Sequence, residues 1–310
     1  MTCSIGSAYA WSTFNGPLTR AVGVVASSGA DWSLGEVVPI FSLCAVSLGV
    51  TTTVLGPWAE QAGPRKVALT AAVAWTSGLA LSSVGVSVHS LPLLYLGYGV
   101  LGGIGWGFGY ISPVSNLMKW FPDRRGLATG MALASFGGGA ILAAPLNKML
   151  TDHFSALPTY VGAVDAVDIV TVEGQQCVVD GATGAMHEVV VASAADLASR
   201  FPGAEAGVYL VGTGDSGAMG CFVALAGLHC TAMTIGALTM KVPADGWLPD
   251  GWTPPSEEEN ANAVNQRALG VVDHNAALRT SQFWLMWAAV FGNAIAGVSI
   301  ISCAKTMMGE

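Results

Sequence analysis

Along this chain apolar residues do not alternate with polar ones at the period of a strand or a surface helix. They run on, stop at a short polar cluster, and run on again. A stretch of roughly 18 or more apolar residues is long enough to cross a bilayer as a helix. Seven stretches reach that length, at about 3–25, 36–58, 66–88, 91–118, 126–147, 216–240 and 281–304. Each predicts a transmembrane helix, so the fold class expected is all-α and integral to a membrane. Between the fifth and sixth spans the pattern changes. VDIVTVE and CVVD lead through the turn DGATG into HEVVVA, Ser193 is placed to cap a short helix AADLASRF, and GVYLV resumes an extended pattern. This predicts a small α/β insertion outside the membrane.

Composition agrees, with 52% hydrophobic and only 10% charged residues and a mean hydropathy of +0.56. These values exclude an ordinary soluble domain. The first span has no basic leader segment and no clear small-residue cleavage site, so it is read as a retained helix. Of the cysteines, Cys3, Cys44, Cys221, Cys230 and Cys303 fall in spans and Cys177 in a loop, with no CxxC spacing. They read as small packed residues rather than a disulfide framework or a metal site.

The few charges carry an orientation. With the N-terminus in the cytosol, the loops at 57–66, 119–125 and 241–280 hold Arg65, Lys66, Lys119, Arg124, Arg125, Lys241, Arg267 and Arg279. The opposite side keeps Arg20, Lys148, Arg200 and Lys305, so the excess of lysine and arginine places those loops inside. The 151–215 stretch holds nine carboxylates against the one base Arg200, which accounts for the whole net charge of −8. The expected organisation is therefore spans one to five in 1–150, an acidic extracytosolic insertion in 151–215, the sixth span in 216–240, a cytosolic linker in 241–280 and the seventh span in 281–310. The linker reads as Pro- and Asn-rich, with Glu257 to Glu259 as a solvated run and ANAVNQRALGVV as its one apolar period.

Glycines mark contacts. GYGVLGGIGWGFGY formally contains GxGxxG at Gly97, Gly99 and Gly102, but it lies in mid-span, with no strand before it and no helix N-terminus to receive phosphate. Small residues let helix backbones approach where lipid offers no hydrophobic drive. Gly126, Gly130, Ala134 and Gly138 recur every four residues and predict a packing face on the fifth helix.

Two loops carry a family resemblance. GPWAEQAGPRKV at 56–67 resembles the loop between helices two and three of the major facilitator superfamily, with Gly56, Gly63 and Arg65 matching, Glu60 in place of aspartate, and Gln61 where arginine is usual. WFPDRRGLATGMA at 120–132, with YAWSTFNGPL at 9–18, WSLGE at 32–36, GPRKV at 63–67 and LRTSQFWLMW at 278–287, resembles the oxalate/formate antiporter and monocarboxylate-transporter branch. The resemblance implies a major facilitator-type helix bundle with twelve helices in two halves and substrate held between the halves. This chain then supplies the first half, the linker and one helix of the second. The insertion departs from the family's short loop.

What the resemblance implies for function is secondary transport of a small organic anion by alternating access, with membrane lipid around it, a proton or counter-anion as coupling ion, no cofactor, no metal and no nucleic-acid partner. An unpaired anion at the bilayer centre needs a cation, and in the family the second half carries it. The first half offers Tyr9, Trp11, Phe14, Asn15, Trp106 and Tyr110 as pathway lining, where Trp11, Phe14 and Asn15 share a helical face and Trp106 shares one with Tyr110; anchoring at the membrane interface is the competing role for these aromatics. Gly56, Glu60, Gly63, Arg65, Lys66, Asp123, Arg124 and Arg125 form cytosolic gating loops, with the last three as a hinge-side turn or simply as inside-face charges. A scaffold whose working part is the insertion is the second function class. A membrane enzyme is the third and least expected class, since the spans hold no HExxH, GxSxG or Walker motif and His89, His153, His187, His229 and His274 are scattered without ligand spacing.

Overall fold

The computed structural model describes residues 1–172, 174–179, 184–198, 200–244, 246–249, 251–253 and 278–307. Six described helices are long and apolar enough to cross a membrane: Leu34–Ala62 (α2), Pro64–Ser87 (α3), Leu91–Trp120 (α4), Arg125–Phe154 (α5), Ala218–Thr239 (α6) and Ser281–Met307 (α7). The first expected span, at 3–25, is corrected. It is a shorter helical segment, α1, built of Thr2–Gly6, a tight 3₁₀ stretch Ser7–Phe14 and Asn15–Thr19. Helix stops there because the Asp31 carboxylate gathers the backbone N–H groups of Val22 (2.7 Å), Gly23 (3.0 Å) and Ser28 (2.9 Å) into a compact loop. Apolar composition from Val22 to Val25 therefore builds a buried loop, not a last helical turn.

Helix starts follow local chemistry. α2 opens with a capping box in which Ser33 and Glu36 bond reciprocally, Ser33 Oγ reaching the Glu36 carboxylate at 2.7 Å. Gly63 turns the chain between α2 and α3 at φ 82°, a conformation that favours glycine, and Pro64 then starts α3 with its fixed φ. In the bundle α3 lies against both α4 and α6, α2 lies against α4, and α7 touches α1 and α2.

The α3–α4 contact is set by glycine. Tyr95–Gly102 of α4 widens into a π-helical stretch, and Gly97 and Gly102 meet Gly78 of α3 so closely that a Cβ on Gly78 would lie 2.6 Å from the Gly97 carbonyl oxygen. The stripe expected on α5 is corrected. Around Gly126 and Gly130 nothing lies within 4 Å of an added Cβ, and Gly138 meets only its own helix at Ala134. Those residues face away from the bundle because α5 turns its other side, through Ala128, Ala132 and Phe136, inward.

The insertion forms a two-stranded ribbon of β1 (Ser155–Ala156) with β7 (Asp215–Ser216) at its base. Above it lies an antiparallel five-stranded sheet in the order β2-β6-β5-β4-β3. The strands are β2 Tyr160–Gly162, β3 Ile169–Val172, β4 Gln175–Val179, β5 Met186–Ala192 and β6 Gly207–Leu210. A short helix, Ala194–Ala198, is capped by Ser193 as expected, with Ser193 Oγ 2.6 Å from the Asp196 carboxylate. Its small core of Val190, Ala192, Leu197 and Tyr209 also takes in Val25 from the loop after α1, so the insertion is docked on the bundle. Residues 180–183 of the expected DGATG turn, the Glu257 to Glu259 run and the ANAVNQRALGVV stretch lie outside the described residues.

Candidate substrate pathway

The 3₁₀ stretch of α1 decides where its aromatic rings go. With three residues per turn, side chains three apart eclipse, and Trp11 and Phe14 sit with ring centroids 5.8 Å apart. Trp11 packs on Tyr98 of α4 at 4.3 Å and Phe14 stacks on Phe222 of α6 at 4.7 Å. Both are fully inside the core. Asn15 leaves this pair and points at α7, its Nδ2 donating to the Ser302 carbonyl at 2.8 Å and the Thr306 hydroxyl at 3.3 Å. The face predicted for all three residues is thus divided between two neighbours.

Tyr9 joins the other expected pair. Its ring lies edge-on to Trp106 at 5.5 Å and to Phe136 at 5.3 Å, and Tyr110 meets Phe136 at 5.6 Å. Phe136 of α5 is therefore the hub that brings Tyr9, Trp106 and Tyr110 together, and no pattern in the sequence singled it out. Tyr9 and Tyr110 remain half-buried, while Trp106 is buried.

Other polar groups inside the bundle were also missed. Asn147 of α5 donates from Nδ2 to Thr13 Oγ1 at 3.1 Å, and His229 Nε2 of α6 lies 3.5 Å from Ser7 Oγ. Among the described residues the indole N–H groups of Trp11, Trp75 and Trp106 and the side-chain oxygens of Asn15, Asn116 and Asn147 are buried without a hydrogen-bond partner. Buried polar atoms in native proteins are ordinarily paired, so these mark where the bundle interior is polar. The available signal was a lone Asn or His within an otherwise apolar span.

On the face that carries the 119–125 turn, a cavity of about 260 Å³ lies between α2, α3 and α4, with Glu60, Gly63, Ser112, Ser115 and Lys119 in its wall. Ser112 Oγ donates to the Pro64 carbonyl at 2.7 Å, tying α4 to the start of α3 directly after Gly63. Gly56 is half-buried on α2, whereas Arg65 and Lys66 are exposed on α3. Asp123 pairs with its neighbour Arg124 at 3.2 Å, and Arg125 begins α5. Among the described residues the ion pairs are this one and Lys148–Asp152 at 3.2 Å, and neither bridges the 56–67 loop to the 119–125 turn.

The opposite end of the bundle, under the insertion, holds a larger cavity of about 750 Å³. Asn15, Arg20, Asp31, Trp32, Thr151 and Thr306 are in its wall, so α1, α5 and α7 all reach it. Trp32 is fixed there by the His89 ring, stacked at 4.2 Å with only 4° between planes.

Comparisons with known proteins follow this geometry. The family model of the Major Facilitator Superfamily matches residues 1–167. The uncharacterized MFS-type transporter YhjX of Escherichia coli is 32% identical over 171 residues, 54% of this chain and 39% of that protein. Monocarboxylate transporter 11 of Mus musculus is 32% identical over 219 residues, 62% of this chain and 46% of its own. The oxalate:formate antiporter of Oxalobacter formigenes is 28% identical over 200 residues, covering 62% and 43%. The chain spans less than half the length of each of these relatives.

Proposed function

The chain belongs to the major facilitator superfamily, a family of multi-pass membrane transporters of small molecules, and on that premise we propose that its substrate is a small organic anion, a mono- or dicarboxylate moved by alternating access. The observation that carries this reading is the similarity, over 62% of the chain in each case, to proteins named for monocarboxylate and for oxalate and formate. In this reading the N-terminus and the 119–125 turn are cytosolic, and a proton or a counter-anion is the coupling ion.

Burial and cavity lining support the following roles. Tyr9, Tyr110 and Asn15 present polar tips to the pathway, and Trp106 backs the two tyrosines. Trp11 and Phe14 act as a wedge that fixes α1 against α4 and α6. Gly56, Glu60, Gly63, Arg65 and Lys66 form one side of the cytosolic gate, with Glu60 sharing a cleft with Lys119. Asp123, Arg124 and Arg125 form the short turn through which α4 and α5 move as a pair. The scaffold reading gains no support, because the insertion shares its core with the bundle.

The test is exchange in liposomes containing the complete gene product, preloaded with oxalate, formate or pyruvate. Uptake of the labelled carboxylate above protein-free liposomes is expected, driven by a counter-anion or by a pH gradient. No uptake of any of the three under either drive rejects the reading.

A further inference from the structure

Arg20, Lys148, Arg200 and Lys305 are the bases that charge counting leaves on the insertion side, and they are scattered along almost the whole chain. Folding gathers them: all four line the 750 Å³ cavity beneath the insertion. Each comes from a different element, namely the end of α1, α5, the insertion and the last turn of α7. The acidic insertion places its one base, Arg200, here.

Three carboxylates share the wall, Asp31, Asp152 and Asp196. Each has its own donors. Asp31 accepts from three backbone N–H groups and from Ser28 Oγ at 3.1 Å. Asp196 accepts from the Ser193 N–H at 3.0 Å, and Asp152 pairs with Lys148. The arginines are less committed. Among the described residues Arg20 donates once, from Nη1 to the Val25 carbonyl at 3.1 Å, and Arg200 once, from Nη2 to the Ser216 carbonyl. A guanidinium carries five N–H donors. Burial lowers the pKa of Arg200, and nearby Arg20 pushes it the same way against the opposing pull of Asp152 and Asp215. Against the three carboxylates the four bases leave the cavity wall one positive charge in excess, at the mouth of a membrane bundle where local charge draws in anions.

We propose that this cavity is an anion-binding antechamber, in which Arg20 and Arg200, flanked by Lys148 and Lys305, hold the carboxylate of a small organic anion before it enters the bundle. The planar forks of two arginines match the geometry of a carboxylate. Asn15, which ties α1 to α7, lines the same cavity. The choice of ligand rests on the transport reading above; the site itself rests on the gathered cations.

The experiment is calorimetric titration of oxalate into the purified protein, in zwitterionic detergent at low ionic strength and free of anionic lipid, with liposome uptake measured in parallel. Binding that weakens as salt is raised is expected. Arg20→Gln and Arg200→Gln should each weaken it about tenfold, the loss of one charge-assisted bond, and Arg200→Lys should recover part of the loss. Lys148→Gln sits on an exposed helix surface, leaves the fold undisturbed, and should weaken binding on the order of threefold. Unchanged affinity in Arg20→Gln and Lys148→Gln overturns the antechamber. Heat from phosphatidylglycerol vesicles with none from oxalate also overturns it, by assigning these cations to a lipid headgroup. Oxalate binding without uptake rejects the transport reading and keeps the antechamber, whereas uptake without salt-dependent binding does the reverse.

Discussion

Helices α4 and α5 are equal in length, 30 residues each, and both are rich in glycine, yet the most apolar window of α4 is 56% buried and that of α5 only 28%. In α4 the glycines are points of contact. A Cβ on Gly103 would lie 2.5 Å from the Cys44 carbonyl oxygen of α2, and one on Gly105 would lie 2.4 Å from the Trp75 backbone nitrogen of α3. In α5 the first close approach comes only at Gly139, 2.4 Å from the Cys3 carbonyl oxygen. A four-residue glycine period thus shows that a helix is able to pack closely. It does not say that a partner stands opposite that face.

The sharpest way to break this comparison is to add one methyl group to each helix. Gly105→Ala should destabilise the bundle by on the order of 3 kcal/mol, because the new Cβ collides with backbone rather than with a side chain that can swing away. Gly130→Ala should stay within about 1 kcal/mol of the parent, on the stabilising side, since alanine is the better helix former and the space is open. Thermal melting followed by a thiol-reactive dye on the buried Cys44 reads both, and equal losses would refute the contrast. A smaller effect sharpens it. The half of α5 beyond Gly139 is tied to α1 by Asn147, so Asn147→Ala should cost about 1 kcal/mol in the same melt, and an unchanged midpoint would remove that tie from the account.

The smallest effect lies where α5 hands over to the insertion and stabilisation becomes electrostatic. Hydrogen bonds from the Ser193 hydroxyl and N–H hold the Asp196 carboxyl below its ordinary value of 3.8. A depressed folded pKa stabilises above the unfolded value and is lost as pH falls through the lower folded one. Protection factors of amide exchange in Ala194–Ala198 should therefore fall as pH drops below about 4, and Asp196→Asn should flatten that dependence. An equal slope in the variant would assign the acid sensitivity elsewhere.

Much of the architecture was legible in the residues. Six spans stand where uninterrupted apolar runs placed them, and the strands from Ile169 to Leu210, with the Ser193 cap, follow from alternation and capping chemistry. The candidate pathway was legible only in part. Trp106 and Tyr110 stand four apart on one helix as their spacing implied, but it takes the fold to set Tyr9 against Trp106 and Phe136 beside both tyrosines, and Asn15 parts from Trp11 and Phe14 because a 3₁₀ segment replaces the expected α-helix. These departures arise from contacts between segments far apart in the chain, which no local window contains.

By itself the sequence determined that this protein spans a membrane many times, where most of its helices run, and that it belongs with the major facilitator transporters. Those properties are local, because a bilayer penalises each unsatisfied polar group where it stands, so a run of about twenty residues suffices to reveal a span. Only the tertiary structure decided which glycines touch and how α1 ends. It alone brought four distant cations to one cavity. In lipid an apolar face that packs and one that meets acyl chains have the same composition, so the choice between them is made by shape across the bundle.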